Sequence, residues 1–262
     1  VNFPGMYFAR MHQERSYVLA LENCGSIRGM YIGEGERALS FRQYGPYLLL
    51  GGQGHRAGEN REGGRYERLK EIALPLYPES RIMACWSAQD CMSADRIPFV
   101  GQYAGNRPHW LAATGFGKWG MSSSMTAAML LRDRICGTEN PWIQVFEPSR
   151  FSAEEIPQML RDGGKAVQGL TKRFFRFPAD RADALEPVHG GVAETPQGKA
   201  GVYKDEKGAV HQVEIVCPHM GCELSWNPDE HTWDCPCHGS RFDADGKLME
   251  GPAQKDLKAK EG

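Results

Sequence analysis

The sequence predicts an α+β chain in two parts: an antiparallel sheet closed by a strand, a glycine turn and a helix, then a small all-β domain built around a metal site. Three observations predict it. Between Phe3 and Leu50, short apolar segments of strand length are bounded by Gly, Pro, Asn or Glu-Gly pairs, the punctuation of an antiparallel sheet. A helical stretch rich in Ser, Ala and Thr follows the glycine run Gly115 to Gly120. From about Arg181 the texture changes to short strands and turns, and two loops there each carry cysteine with histidine.

A chain of 262 residues has room for two domains and a sizeable core. Lys and Arg number 31 against 33 Asp and Glu, so electrostatics argues for neither nucleic acid nor an anionic membrane as partner. No apolar run reaches the ~18 residues of a membrane span, and the opening VNFPGMYFARMHQ lacks the basic start and apolar middle of a signal peptide. The start at Val1, without Met, reads as part of a longer polypeptide. Cys24, Cys85, Cys91 and Cys136 are scattered singly, as in a reducing compartment, which points to the cytoplasm.

Taken in order, GMYFARM, RSYVLALE, SIRGMYIGE, ERALSFRQY and PYLLLGG read as strands. Residues Gly52 to Ala57 then match a GxGxxA dinucleotide fingerprint on paper, but polar, glycine-rich GENREGGRYE stands where that fingerprint needs a helix, so the stretch reads as a loop at a strand end. A helix runs from Glu62 or Tyr66 to Leu74, closed by Pro75 and Pro78. RIMACWSAQD, the extended DRIPFVGQY and HWLAATG follow as strands, and MSSSMTAAMLLRDRICG is a helix stopped by Gly137. The strand, the Gly115 to Gly120 turn and this helix would aim backbone N–H groups and a positive helix end at one spot, which favours an anion or an electron-rich carbonyl. Asn140-Pro141 reads as the cap of a short turn, and Ser152 to Glu155 as a capping box opening a linker helix. Phe174, Phe175 and Phe177 argue that this linker packs instead of hanging free.

SADRIPFVGQY and LAATGFGKWGMSSSMTAAMLLRDRICG resemble the closing segment of FAD-dependent oxidoreductases of the D-amino-acid oxidase and glycine oxidase type. The resemblance spans roughly Phe3 to Gly137. It implies that Asp95 and Pro98 lie along a flavin, and that Gly115, Gly117, Lys118, Trp119, Gly120 and Met121 sit against its isoalloxazine ring and O2 carbonyl. The strand and GxGxxG turn with which such proteins open, and which hold the ADP half of FAD, have no counterpart upstream of Val1. The chain therefore reads as the back part of such a flavoprotein.

The C-terminal strands KAGVYK, AVHQVEIVC, ELSWN, HTWDC and SRFDA are joined by turns at Asp205 to Gly208, Asn227 to Glu230 and Asp243 to Gly246, and Val213, Ile215 and Cys217 alternate as on a half-buried strand. CPHMGC and CPCHGSRF supply Cys217 with His219 and Cys235 with His238. Structural zinc favours Cys-x2-4-Cys and His-x3-5-His pairs. Here each pair is mixed, which allots both cysteines to one iron and both histidines to the other, the Rieske 2Fe-2S arrangement. With GKLMEGPA the motifs resemble the Rieske family over about the last 80 residues. The resemblance implies a Cys222–Cys237 disulfide between the cluster loops and a Ser240 hydroxyl donating to a bridging sulfide. It also puts Phe242 where high-potential members carry a donating Tyr. One donor kept and one lost predicts a potential below those members, within about −150 to +300 mV, and exposed imidazoles predict a pH-dependent midpoint. His12, His55, His109, His189, His211 and His231 read as surface or packing residues, and no acid or base is assignable; Arg42, Tyr44 and His55 lie at strand ends and read as structural.

These readings divide the chain into a partial FAD-dependent oxidoreductase domain (1–151), a helical linker (152–181) and a Rieske 2Fe-2S domain (182–262). The function they imply is an oxidoreductase taking two electrons from an amine or amino-acid-like substrate at FAD and passing them singly through the cluster to or from a one-electron partner. The alternatives are an electron-transfer module without flavin chemistry of its own, and a zinc-stabilised interaction protein.

Overall fold

The computed structural model describes residues 7–35, 38–151, 156–157, 160–161, 164, 180–181, 185–196 and 198–260. A short helix α1 (Tyr7–Arg10) leads into β1 (Met11–Glu22), followed by β2 (Met30–Ile32), β3 (Ser40–Tyr44), β4 (Tyr47–Arg56), helix α2 (Arg65–Leu76) and β5 (Arg81–Ser93). The strands form one antiparallel sheet in the order β2-β3-β4-β1-β5. Period-two alternation sends Tyr17, Leu19 and Leu21 of β1 with Leu48 and Leu50 of β4 to one face, where they bury Tyr66, Leu69 and Ala73 of α2. At about 1.5–3 kcal/mol for each large side chain fully buried, this packing holds α2 in spite of Pro75 in its last turn.

The hairpin β6 (Phe99–Gln102) and β7 (Leu111–Thr114) carries the chain into α3 (Gly120–Cys136) and a one-turn α4 (Ile143–Phe146). Helix α3 packs Ala127 and Leu130 on Val100. Its stop is as the sequence predicts: Gly137 is left-handed (φ 67°) and its N–H returns to the α3 carbonyls of Asp133 and Arg134. The C-terminal part holds β8 (Asp180–Arg181), β9 (His189–Thr195), β10 (Gly198–Lys204) and β11 (Val210–Val213) in one four-stranded sheet. A second such sheet comprises β12 (Ser225–Asn227), β13 (Thr232–Asp234), β14 (Arg241–Phe242) and β15 (Leu248–Glu250). Val213, Ile215, Leu224, Trp226, Trp233 and Phe242 form the core, and Val213, Ile215 and Cys217 are all buried, as their alternation predicts.

Four expectations are corrected. GMYFARM is not a strand: Tyr7 to Arg10 are helical and the strand begins at Met11. The stretch from Gly52 is neither a loop nor a phosphate turn, because β4 continues through Arg56; a Cβ at Gly52 would lie 2.7 Å from Leu39, so this glycine marks a close approach. Helix α2 includes Pro75. Strand β9, with its Gly190-Gly191 pair, was not expected. The capping box at Ser152 and the aromatic run Phe174, Phe175 and Phe177 lie outside the described residues.

The turn Asn227 to Glu230 seats the C-terminal part on the sheet. Helix α2 has no side-chain cap of its own at Gly64. Asp229 supplies one from the other domain, accepting from the backbone N–H of Gly64 (3.0 Å) and Arg65 (3.2 Å) and from Asn60 Nδ2 (2.7 Å). Buried Asn60 also donates to Asn227 Oδ1 (3.0 Å) and to the Tyr17 hydroxyl (3.1 Å). Glu230 accepts from Tyr66, Ser87 and Arg241. Arg15, fully buried in β1, donates to Ser87 Oγ (2.8 Å), Gln89 Oε1 (3.0 Å) and Glu250 Oε2 (3.1 Å).

Candidate metal centre and adjoining cleft

Two six-residue loops with the same closure build the centre. In residues 217–222 the Cys217 N–H donates to Cys222 O and the Gly221 N–H to Cys217 O, both at 2.9 Å. In residues 235–240 the Cys235 N–H donates to Ser240 O (2.8 Å) and the Gly239 N–H to Cys235 O (2.9 Å). The fifth residue of each must be left-handed, and it is glycine in both, Gly221 at φ 79° and Gly239 at φ 78°. The Cys222–Cys237 disulfide ties the loops together, as the resemblance implies.

Cys217 and Cys235 are free and buried. The rings of His219 and His238 stand 5.0 Å apart and perpendicular. Nδ1 of both rings is buried, and that of His219 makes no hydrogen bond among the described residues. Such an orphaned acceptor, beside two buried thiols, fits a metal ligand. The Sγ atoms of Cys222, Cys235 and Cys237 lie within 4.8 Å of one another, but two of them are spent in the disulfide.

The ionisation of the four groups suits a metal. Without one, the adjacent thiols act as a pair: Cys235, with N–H groups of His219 and Met220 and the Ser240 hydroxyl, pulls the Cys217 thiol down, while Cys217 and burial push Cys235 up. Burial lowers His219, and burial with the charges of His219 and Arg56 lowers His238 to about 4, so both imidazoles are neutral at pH 7, the form that binds metal. Ser240 is fully buried; its oxygen accepts from the Ala253 N–H (2.9 Å), which leaves its own hydrogen for Cys217 sulfur. Phe242 is fully buried in the core and offers no donor.

The second loop rests directly on the sheet. Gln89 Nε2 donates to Gly239 O (2.9 Å). A Cβ at Gly239 would fall 2.4 Å from Gln13 Cγ, and one at Gly58 2.7 Å from Pro236, so backbone meets side chain with nothing between. Two residues before Gly58, Arg56 lines a cleft of about 750 Å³ whose walls include His12, Glu14, Met92, Phe116, Gly117 and Trp119. The front domain's cleft and the metal loops are thus neighbours.

The eight residues expected at a flavin divide. Gly117 and Trp119 line the cleft, and Lys118, left-handed at φ 72°, reaches Glu14 Oε2 at 2.8 Å. Gly115, also left-handed, packs near Met11 and Phe99. Gly120 opens α3, whose amino end at Trp119 has no side-chain cap, the kind of donor end that fits a flavin carbonyl. Met121 is 92% exposed at the first turn of α3. Asp95 is bound by Arg150 (2.9 Å) and the Ile97 N–H (3.0 Å), and Pro98 O accepts from Arg150, so these two brace the segment beside the cleft.

Among the cleft residues that escaped the sequence reading are His12, Glu14 and Arg56. His12 and Glu14 stand on one face of β1, a period-two signal that could have found them. His12, 3.4 Å from Glu14, together with Lys118 overcomes burial and holds the Glu14 carboxyl at about 2. His55 instead meets the Tyr17 hydroxyl (3.0 Å), a packing role as expected. Arg42 and Tyr44 line a separate hollow of about 410 Å³ beside Trp86. No helix among the described residues is long and apolar enough to cross a membrane.

Residues 180–261 match the Rieske [2Fe-2S] domain and residues 3–134 the FAD dependent oxidoreductase domain. The chain is 38% identical over 261 residues to "Putative Rieske 2Fe-2S iron-sulfur protein YhfW" of Bacillus subtilis (strain 168), covering 97% of this chain and 51% of that protein. The chain thus spans about half the length of this relative. It is 51% identical over 79 residues to the cytochrome b6-f complex iron-sulfur subunit 1 of Nostoc sp., covering 28% of this chain and 44% of that one. Among solved structures, glycine oxidase from Geobacillus kaustophilus is similar with TM-score 0.48 and 16% identity, over 55% of this chain and 40% of that one. The two domains imply a 2Fe-2S cluster and FAD as cofactors. With residues 3–134, half of its length, matching the FAD dependent oxidoreductase domain and the cluster loops in place, the chain belongs to the FAD-dependent oxidoreductase family and carries a Rieske [2Fe-2S] domain.

Proposed function

We propose that this oxidoreductase takes two electrons from an amine or amino-acid-like substrate at the cleft and moves them one at a time through the Rieske domain to a one-electron partner. When bound, FAD would accept the hydride of the C–H bond beside the substrate nitrogen, the C–N bond becoming C=N as the nitrogen gives up a proton, and the 2Fe-2S cluster would supply single-electron transfer. The observation that carries the reading is the abutment of the two sites: the wall residue Arg56 lies two residues from Gly58, which packs on Pro236 of the second cluster loop.

In this reading Cys217 and Cys235 hold one iron, and His219 and His238 the other, through buried Nδ1 atoms. Ser240 donates toward the Cys217 sulfur. Gly117, Trp119 and the amino end of α3 orient the flavin, Gly115 and Gly120 shape the turn, and Asp95 and Pro98 brace it through Arg150. Met121, exposed at the first turn of α3, is left open to the flavin. The front domain is taken to end at 151, and the Rieske domain to begin at Asp180, where β8 joins its first sheet. The unpaired Cys24, Cys85, Cys91 and Cys136 support a reducing, cytoplasmic setting.

The test is iron, acid-labile sulfide, flavin and visible-spectrum analysis of the full-length protein. Iron and sulfide in equal amounts with one flavin, and loss of both iron and sulfide in Cys217→Ala and His238→Ala, are expected. A cluster without flavin leaves the electron-transfer module, and a colourless zinc protein overturns both.

A further inference from the structure

We infer that the Rieske domain is a fixed relay, latched to the oxidoreductase sheet in one pose during turnover. Its functional consequence rests on the electron transfer proposed above; its structural content does not.

Domains joined by a linker move relative to one another by default unless the interface between them is large and hydrophobic; buried polar groups bonded across a seam can hold it as well, because parting them leaves them unpaired. Here the contact reaches into the fold of both partners. Asp229 terminates α2 of the front domain, so undocking would strip that helix of its N-cap. Asn60 and Asn227, 3% and 1% exposed, satisfy each other and Tyr17 across the seam. Buried Arg15 finds its one carboxylate partner among the described residues, Glu250, on the far side of the seam.

The second metal loop is held as closely. Gly58 and Gly239 are both left-handed and both stand where a Cβ would strike the opposite domain, and Gln89 fixes the Gly239 carbonyl. With Arg56 in the cleft wall and Gly58 against Pro236, the loop bearing Cys235 and His238 needs no excursion to approach the cleft. A shuttling domain would have to break these bonds at every cycle.

The test uses the full-length protein with Asn60→Cys and Asn227→Cys together, closed by mild oxidation. The link is expected to form in most molecules, by intact mass. After a light pulse reduces the flavin at the expense of an added sacrificial electron donor, the cluster should be reduced in the closed form within twofold of the open dithiol form. Slowing of tenfold or more on closure, with the cluster's visible spectrum intact, overturns the proposal, as does failure of the link to form in a protein that retains that spectrum. Wild-type hydrogen exchange gives an answer independent of the double variant. The Gly64 and Arg65 amides, which donate to Asp229, should exchange no faster than the β1–β5 ladder; exchange tenfold faster refutes a permanent latch. If flavin reduction never reaches the cluster in the wild type, the proposed function fails, while cross-link yield and exchange still decide whether the domain is fixed.

Discussion

Replacing Asp229 by Ala removes a carboxylate that belongs to one domain and caps a helix of the other. Three contributions are lost. The N-cap bonds to Gly64 and Arg65 are worth about 1 kcal/mol. A negative charge at the positive end of α2 adds about 0.5 kcal/mol. The bond from Asn60 adds about 1 kcal/mol, and no more, because Asn60 keeps Asn227 and Tyr17 as acceptors. The sum of about 2.5 kcal/mol corresponds to a fall in melting temperature of about 5–10 °C for a unit of this size. Differential scanning calorimetry at one fixed scan rate, followed in parallel by the visible signal of the cluster, should show both signals falling together. Asp229→Asn keeps an acceptor and loses only the charge, so it should cost less than about 3 °C. A shift below about 2 °C for Ala, or an Asn variant as damaged as Ala, would refute the assignment of Asp229 as the cap.

Removing the Ser240 hydroxyl (Ser240→Ala) deletes a donor to cluster sulfur, and a charge-assisted bond of about 1.5 kcal/mol converts to a midpoint lower by about 60 mV for one electron; Phe242→Tyr should move it upward, both read by voltammetry. Glu14 titrates at about 2 in the fold against about 4.5 unfolded, so its ionised form stabilises the native state above pH ~4.5 and that contribution is lost as the pH falls toward 2. The stability difference between wild type and Glu14→Gln should therefore be full at pH 6 and vanish near pH 2 in denaturant titrations; a pH-independent difference would exclude the His12–Glu14–Lys118 group as its source. Gly201→Ala places a methyl 2.6 Å from Ile215 and 2.8 Å from the Trp233 ring, an overpacking of about 1–3 kcal/mol measurable by chemical denaturation.

The metal loops were legible because ligation demands particular side chains at fixed spacing, and the turn geometry adds a glycine to each loop. Helix α3 and its stop were legible for a similar local reason: only a left-handed residue closes that terminus, and Gly137 stands there. Beyond local range the reading failed in consistent ways. Gly52 and Gly54 looked like a loop because glycine has low strand propensity, yet Leu39 and Lys118 occupy the space their side chains would need. Gly190 in β9 was passed over for the same reason, since the Trp226 ring fills its missing side chain's place. The turn at Asn227 to Glu230 was read as a turn and no more, because its partners Asn60, Gly64, Tyr66 and Ser87 lie more than 140 residues earlier. Nothing local announces a cap that arrives from another domain.

That borrowed cap bears on how such a chain can be rearranged. A Rieske domain from another protein, grafted after the linker, would bring a competent cluster but not the aspartate that α2 needs or the glutamate that faces Arg15. The front domain would then carry bare helix N–H groups and an unanswered buried guanidinium, and would lose stability although none of its own residues had changed. The two modules are separable in sequence and interchangeable in motif, but in the folded molecule each completes the other, so recombination between relatives succeeds only where the 227–230 turn and Glu250 travel with the cluster.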